Sequence, residues 1–327
     1  MPLKEINKIK DLMELGGLSK DEFFYVDFRV SSKCNYSCWY CKDMHNNKIK
    51  NTHFDLELLR NFIRALNRKC SFFLYGGEPT IHPQFIDIVK VISETSCPES
   101  RVEIQTNMSI KDEDIHKLIN IEKVKILASY HHLNCDTKDF MLKCLKSKSI
   151  LKQITVMYQR DVSESVLEAF KKIDMVFGKS CNVELMPLLC GSIEEDEEQP
   201  YREIEGFYAD KKALEISNSK GYGGATLKGK LSSGEEFETS PNELWYKKQN
   251  CFKGMLCNVS KERIIIDSDG SCYKCFNEIF DGSIKPKYNI TIKDRSPEEY
   301  LKNLQHMECP YEKCFFEFNH KKFLKKN

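Results

Sequence analysis

The sequence lacks any long apolar stretch. No uncharged run is long enough to span a bilayer, and the first twenty or so residues hold neither the apolar core nor the small-residue cleavage site of a secretory signal. An excess of charge of one sign is also missing, because 50 Lys and Arg residues stand against 49 Asp and Glu residues. We therefore predict a cytoplasmic protein that binds neither a membrane nor duplex nucleic acid.

Cysteine, by contrast, is abundant, with 15 in a chain of 327 residues. A reducing compartment does not maintain disulfides, so metal ligation is the leading interpretation of any cysteine cluster. Two clusters stand out, one near the start of the chain and one near its end. They comprise Cys34, Cys38 and Cys41, and then Cys251, Cys257, Cys272, Cys275, Cys309 and Cys314.

Between the two clusters, short β-rich runs alternate with amphipathic stretches. The predicted strands are 23–30, 71–75, 101–106, 124–130, 153–159 and 182–189. The predicted helices are 54–69, 83–95, 111–120, 137–148 and 163–177, with Thr52 and Asp55 as a capping box for the first. This βαβ rhythm requires parallel strands and predicts an α/β fold, either a barrel or an open doubly wound sheet.

The composition changes after Gly191. A glycine-rich stretch at 218–240 predicts a hairpin that turns at 232–234 or a loop over a site, and IIIDSDGSCYKC at 264–275 predicts a second hairpin. The short basic ending at 320–326 predicts a solvated tail. We predict four segments: an N-terminal extension at 1–22, a barrel at 23–190, a linker or insert at 191–250 and a cysteine-rich domain at 251–327.

The first cluster places three thiols in one short loop after the first predicted strand. Spacings of four and three residues let such a loop surround a single soft metal centre. Three ligands leave one iron of a four-iron cluster open to a substrate or cosubstrate, as the open position does at catalytic zinc. A zinc knuckle or a purely structural iron–sulfur site is the alternative.

The motif C-x-x-x-C-x-x-C, with the aromatic Tyr40 before its third cysteine, resembles that of the radical S-adenosylmethionine (SAM) superfamily. Gly76-Gly77-Glu78-Pro79, directly after the second predicted strand, resembles the GGE segment of that family. The resemblance implies a partial (β/α)6 TIM-like barrel whose carboxyl strand ends form the active site. It also implies a 4Fe-4S cluster on Cys34, Cys38 and Cys41 that binds SAM at its open iron.

The resemblance further implies contacts to SAM. Glycines let the backbone approach the methionine end closely, and polar residues at the ends of the third and fourth strands meet its carboxylate and ribose. The cofactor-binding residues predicted in this way are Tyr40, Gly76, Gly77, Glu78, Thr106, Asn107 and Ser129. His131 and His132, next along the chain, either line the cavity or lie on an exposed loop.

The second cysteine cluster resembles the auxiliary-cluster domains called SPASM and twitch. Six cysteines favour the twitch type, with one 4Fe-4S cluster. The predicted ligands are Cys257, Cys272, Cys309 and Cys314, with Cys251 or Cys275 as alternatives. A zinc ribbon is the competing interpretation, because iron and zinc both accept four thiolates.

The activity that the resemblance implies is reductive cleavage of SAM to a 5′-deoxyadenosyl radical, which abstracts hydrogen from a substrate. The electron would come from a one-electron donor such as flavodoxin or ferredoxin. Only some 22 residues precede the first strand, too few for a peptide-binding domain, so we predict oxidation of a small molecule such as a sugar or aminocyclitol. Maturation of a ribosomally made peptide, by crosslinking, epimerisation or oxidation, is the alternative; a non-catalytic iron–sulfur or zinc protein is the alternative from another class.

Overall fold

The computed structural model describes residues 12–17, 23–38, 41, 53–158, 162–187, 227–239, 244, 251–281, 285–286, 288–290, 296–311, 314 and 322–323. Its strands are β1 Leu12–Gly17, β2 Phe24–Ser31, β3 Cys70–Gly76, β4 Arg101–Thr106, β5 Val124–Tyr130, β6 Leu151–Tyr158, β7 Asn182–Pro187, β8 Leu227–Leu231, β9 Glu236–Thr239, β10 Leu256–Cys257, β11 Arg263–Ile266, β12 Ser271–Tyr273, β13 Tyr288–Asn289, β14 Met307–Glu308 and β15 Lys322–Phe323. Its helices are α1 Leu56–Leu66, α2 Phe85–Thr95, α3 Asp112–Ile119, α4 Thr137–Lys146, α5 Ser163–Phe177, α6 Val259–Glu262, α7 Phe276–Asp281 and α8 Pro297–Lys302. A short 3-10 helix spans Pro79–Ile81.

The main sheet runs in the order β13-β12-β11-β2-β3-β4-β5-β6-β7. The strands from β11 to β7 are all parallel, and β12 and β13 are antiparallel additions at one edge. Among the described strands no pairing joins β7 to β13, so the sheet stays open. The predicted α/β class and partial barrel are confirmed.

Helices cover one face of this sheet because its strands carry apolar residues at every second position. In β2, Val26, Phe28 and Val30 are buried in the same core that α1 to α5 enter. The opposite face of the same strand carries Asp27 and Arg29, which are also buried. The parallel sheet thus has an apolar face under the helices and a polar face toward the barrel interior.

Helix α1 begins at a side-chain cap, although a different one from that predicted. Asp55 Oδ1 accepts hydrogen bonds from the backbone N–H groups of Glu57 and Leu58, at 3.0 and 3.1 Å. Thr52, the predicted first residue of a capping box, lies outside the described residues. The sequence therefore predicted the start of the helix to within a few residues. It gave Asp55 the role of the second residue of a capping box, whereas Asp55 is itself the N-cap.

A second, antiparallel sheet has the order β14-β10-β15-β1-β8-β9. Strands β8 and β9 form the hairpin alternative predicted for the glycine-rich stretch, with Gly234 at a φ of 87° in the turn. The N-terminal extension supplies β1 and the basic ending supplies β15. The prediction of a solvated tail is therefore wrong at 322–323, where the chain forms a strand. Strand pairing uses main-chain N–H and carbonyl groups, which basic side chains leave available.

The cysteine-rich segment is hydrogen-bonded to both sheets. Strand β11 pairs in parallel with β2, and β10 and β14 pair within the second sheet. Two ion pairs cross from β2 to the β11 region: Arg29 to Asp267 at 3.2 Å, with both side chains buried, and Arg263 to Asp27 at 2.5 Å. The domain boundaries given above stay a prediction. Among the described residues, no helix has the length and apolar character needed to cross a membrane.

Candidate active site

The cysteine loop and the Gly-Gly-Glu-Pro segment meet at the carboxyl ends of β2 and β3. The N–H of Gly77 donates to the carbonyl of Ser31 at 2.8 Å, and the N–H of Glu78 donates to the carbonyl of Lys33 at 2.8 Å. These two bonds continue the pairing of β2 with β3 past the strand ends. The position of Cys34 is therefore fixed by the backbone of its neighbouring strand.

The structure shows a requirement for glycine here that lies within the chain itself. A Cβ on Gly77 would lie 2.3 Å from the carbonyl oxygen of Lys33, and a Cβ on Gly76 would lie 2.1 Å from that of Ser31. Gly76 also has a φ of 154°, which residues with a Cβ rarely adopt. Both glycines permit close approach of the cysteine loop itself, a packing requirement within the chain.

Glu78 joins the ends of β3 and β4. Its Oε1 accepts hydrogen bonds from the Thr80 N–H at 3.1 Å and the Thr106 hydroxyl at 2.7 Å. Its Oε2 accepts from the Asn107 N–H at 2.7 Å. Burial nevertheless raises the pKa of this carboxyl, while the bonds from Thr80, Asn107 and Thr106 act to lower it. The observed contacts of Glu78 are to the chain and make it a connector between two strand ends.

Asn107 brings the end of β4 to the cysteine loop. Its Nδ2 donates to Asn35 Oδ1 at 3.1 Å and lies 3.8 Å from Cys34 Sγ, while its Oδ1 accepts from the Ser109 N–H at 2.9 Å. Ser129, at the end of β5, is buried and accepts a bond from Gln105 at 3.4 Å. The structure thus gathers six of the predicted cofactor-binding residues at one edge, and Tyr40 lies outside the described residues.

Hydrogen-bond donors surround the first two sulfurs of the loop. Cys34 Sγ accepts from the Tyr36 N–H at 3.3 Å, and Cys38 Sγ accepts from Asn134 Nδ2 at 3.3 Å. His131 Nδ1 lies 3.7 Å from Cys38 Sγ, so this histidine belongs to the site. His132 lies beside the Tyr130 hydroxyl at 3.0 Å instead.

The titration of these groups reflects their burial. Burial raises the pKa of the Cys34 thiol to about 11; the charges of Glu78, Cys41 and Cys38 raise it further, against a lowering by the Tyr36 N–H. Burial also lowers the pKa of His131 to about 4, so its ring is neutral at physiological pH. Among the described residues no three His, Cys, Asp or Glu side chains are already grouped as a metal site. A thiol with the pKa of Cys34 would have to lose its proton to bind iron.

The six late cysteines fall into different surroundings. Cys257 and Cys275 are buried together with Val259 in a small apolar cluster, which Met307 covers. Cys309 follows β14, and its N–H donates to the carbonyl of Met255 at 2.9 Å, two residues from Cys257. Cys272 instead lies in the main core, and Cys314 in the core of the second sheet. Cys251 is half-buried.

A polar group on the barrel interior escaped sequence analysis. Gln153 Nε2 and Thr155 Oγ1, both on β6, donate to Glu184 Oε1 on β7 at 2.6 and 2.8 Å. Burial raises the pKa of Glu184, and the bond from Thr155 acts to lower it. Strand alternation could have revealed this group. Ile154 and Val183 lie in the main core, so their neighbours Gln153, Thr155 and Glu184 are on the opposite face of the sheet.

A model of the radical SAM superfamily matches residues 28–198, which is more than half of the chain. The chain belongs to the radical SAM superfamily. Membership of this superfamily implies a 4Fe-4S cluster and SAM.

A curated relative of this radical SAM protein is the GTP 3′,8-cyclase of Haemophilus ducreyi, 27% identical over 162 residues. The match covers 47% of this chain and 46% of the cyclase, so the chain spans about half the length of that relative. Among solved structures, SuiB of Streptococcus suis bound to S-adenosylmethionine is 15% identical with a TM-score of 0.56, over 86% of this chain and 66% of SuiB. The structure anSMEcpe with bound AdoMet and Kp18Cys peptide is 18% identical with a TM-score of 0.52, over 85% of this chain and 82% of that one. At these identities the solved structures support the fold.

The residues present suit the cluster of this superfamily. Three cysteines share one loop, and N–H groups already point at the sulfurs of Cys34 and Cys38, as a negatively charged iron–sulfur centre requires. Soft thiolates with nitrogen donors around them fit iron–sulfur chemistry.

Proposed function

We propose that this radical SAM enzyme holds its 4Fe-4S cluster on Cys34, Cys38 and Cys41. The observation that carries this proposal is the pair of backbone bonds from Gly77 and Glu78, which lock the cysteine loop to the strand that precedes the SAM-binding segment. When bound, the cluster and SAM would supply a 5′-deoxyadenosyl radical that takes hydrogen from a substrate. The chain's own part is to hold the loop, position SAM and exclude water.

We propose that SAM lies along the strand ends gathered above. Gly76, Gly77 and Glu78 would face its methionine end through backbone carbonyl groups, because the N–H groups of Gly77 and Glu78 and the Glu78 carboxylate are already engaged within the chain. Asn107 and Ser129 would meet its carboxylate and ribose. Thr106 would act through Glu78, to which its hydroxyl donates. Tyr40 completes the proposed set.

The test is cleavage of SAM by anaerobically reconstituted and reduced protein. Wild-type protein should release 5′-deoxyadenosine, and the triple variant Cys34→Ala/Cys38→Ala/Cys41→Ala should release none above a protein-free control. The double variant Cys97→Ala/Cys181→Ala removes two half-buried cysteines outside the loop and should behave as wild type. Cleavage that survives in the triple variant would refute the ligand assignment.

We infer that the substrate is a small polar molecule, such as a sugar or aminocyclitol undergoing oxidation. The support is the polar interior of the barrel: Ser129 is in register with Thr155, and Thr155 is in register with Glu184. Hydroxyl and carboxylate groups in one row suit a ligand rich in hydroxyl or amino groups. An electron donor such as flavodoxin or ferredoxin would complete the reaction.

Peptide maturation is the second candidate. Two structures of similar fold hold peptides, namely SuiB bound to precursor peptide SuiA and anSMEcpe with its Kp18Cys peptide. To separate the candidates, the reduced enzyme is given SAM with either perdeuterated sugars and aminocyclitols or perdeuterated peptides. Deuterium should appear in 5′-deoxyadenosine from the first set. Transfer from the peptide set alone would reverse the assignment.

We propose one auxiliary 4Fe-4S cluster for the late cysteines, in a domain of the SPASM or twitch type. Cys257, Cys309 and Cys314 keep their predicted roles. For the fourth ligand the shared cluster of Cys257 and Cys275 favours Cys275 over Cys272, with Cys251 as the remaining alternative.

Metal analysis tests the auxiliary site. Wild-type protein should hold about eight irons, two cubanes of four. Cys275→Ala should keep about four, while Cys272→Ala should keep about eight unless its core fails. Loss of iron from Cys272→Ala alone would return that cysteine to the ligand set. One zinc with about four irons would make the late group a zinc ribbon.

A further inference from the structure

The sulfur of Cys38 has nitrogen groups from the loop after β5 close to it. Asn134 Nδ2 lies 3.3 Å from Cys38 Sγ, and His131 Nδ1 lies 3.7 Å from the same atom. Both residues belong to the loop after β5, where the N–H of Asn134 donates to the carbonyl of His131 at 2.9 Å. This turn presents the two side chains to the sulfur together.

Asn134 is the decisive member of this pair. An amide NH₂ group can only donate, whereas the role of a histidine nitrogen depends on its tautomer. The half-buried position of Asn134 limits competition from water. Asn107 Nδ2 approaches Cys34 Sγ less closely, at 3.8 Å, and also bonds Asn35.

Hydrogen bonds to cluster sulfurs act on electron affinity. A reduced iron–sulfur cluster carries one more negative charge than the oxidised one, and part of that charge lies on the cysteine sulfurs. A donor at the sulfur therefore stabilises the reduced state more than the oxidised state and raises the reduction potential. Such a donor changes when the cluster can be reduced, without being a ligand.

We propose that Asn134 is a positioning residue that raises the reduction potential of the cluster on the cysteine loop through its hydrogen bond to Cys38. This inference rests on the proposed assignment of Cys34, Cys38 and Cys41 as ligands. The proposal gives the loop after β5 a part in the reduction of the cluster. The same loop follows Ser129, which lies at the strand ends where SAM is proposed to bind.

The experiment is a potentiometric titration of the holoprotein, followed by electron paramagnetic resonance of the reduced loop cluster. Three variants are compared: Asn134→Ala removes the donor, Asn134→Asp keeps the shape but reverses the polarity, and Asn134→Ser keeps a shorter donor. Asn120→Ala, at the exposed end of α3, is the matched control and should match wild type. Iron content is measured alongside each potential.

The potential should fall in the order wild type, Asn134→Ser, Asn134→Ala and Asn134→Asp, with iron unchanged. Equal potentials across the series would overturn the proposal. Loss of iron in all three variants would also overturn it, because Asn134 would then shape the site rather than tune it. A wild-type protein whose Cys34, Cys38 and Cys41 hold no reducible iron would instead refute the proposed function, a distinct result.

Discussion

The two cysteine groups of this protein sit in opposite kinds of surroundings. Around Cys34 and Cys38 the near neighbours are N–H groups of Tyr36 and Asn134. Around Cys257 and Cys275 they are the apolar side chains of Val259 and Met307. Spacing along the chain suggested metal ligation for both groups. The surroundings therefore differ in polarity: nitrogen donors approach the sulfurs of the first group, whereas apolar side chains pack against the second.

The largest effect should follow from the substitution Gly77→Ala. Its Cβ would overlap the Lys33 carbonyl, so the loop and Cys34 must shift, and the protein should lose the iron of the loop and SAM cleavage together. Iron held by the late cysteines should remain, about four per chain. One added methyl group would then remove the iron of the first cysteine group and leave that of the second in place.

The control for this prediction is Gly234→Ala. No atom lies within 4 Å of a Cβ at Gly234, so this variant strains only its own turn and should keep all its iron. If Gly77→Ala holds full iron but binds SAM weakly, glycine is needed there for the cofactor and not for the loop. Full iron with normal SAM affinity would contradict both reasons.

The next effect concerns the join between β2 and the late segment. Asp267→Asn removes the carboxylate that faces the buried Arg29 guanidinium and should lower the free energy of unfolding by about 3–5 kcal/mol. Burial raises the pKa of Asp267 more than the Arg29 charge lowers it, so the pair itself is costly to bury. Urea unfolding measures the loss.

The matched variant for this pair is Arg29→Met/Asp267→Leu, which removes both charges. It should unfold close to wild type, because neither charge is then left buried alone. If Asp267→Asn is as stable as wild type, the late segment is not clamped to β2 through this pair.

The smallest effect concerns Glu184 and appears as pH dependence. Because burial raises its pKa above the ordinary value of 4.5, its protonated form is favoured in the folded state. Its contribution to stability is therefore present below that ordinary value and is lost as pH rises through the raised pKa. Glu184→Gln has no carboxyl to titrate and lacks this loss. Its free energy of unfolding relative to wild type should therefore rise from about pH 4 to about pH 8. Urea unfolding measures this difference. The same difference between wild type and Glu184→Gln at both pH values would contradict a raised pKa for this carboxyl.

Sequence patterns located the strands of the barrel because alternation is a local property. The predicted segments 101–106 and 124–130 agree with β4 and β5 residue for residue. Sequence could not show that β11 pairs with β2, since Arg29 and Asp267 are 238 positions apart and their contact depends on register between distant strands. The charged residues Asp27 and Arg29 were visible within a predicted strand, but their burial was not.

The candidate site was predicted only in part, because only its local motifs are visible in the sequence. Its cysteines and glycines form short motifs, so they could be named from the sequence. Asn134 and Glu184 could not, because single polar residues after or within strands are common and only the fold brings them to a sulfur or to Thr155. The choice among the late cysteines depended on spacing alone and stays a prediction.

The most direct test of the account is whether SAM binds the iron of the loop cluster. Electron paramagnetic resonance of the reduced protein is recorded with and without SAM, in wild type and in Cys257→Ala/Cys275→Ala. We expect SAM to change the g values of one cluster signal in both proteins, because the responsive cluster is the one on Cys34, Cys38 and Cys41. A signal indifferent to SAM in wild type, or a response lost only in Cys257→Ala/Cys275→Ala, would contradict the assignment of the loop as the SAM-binding centre.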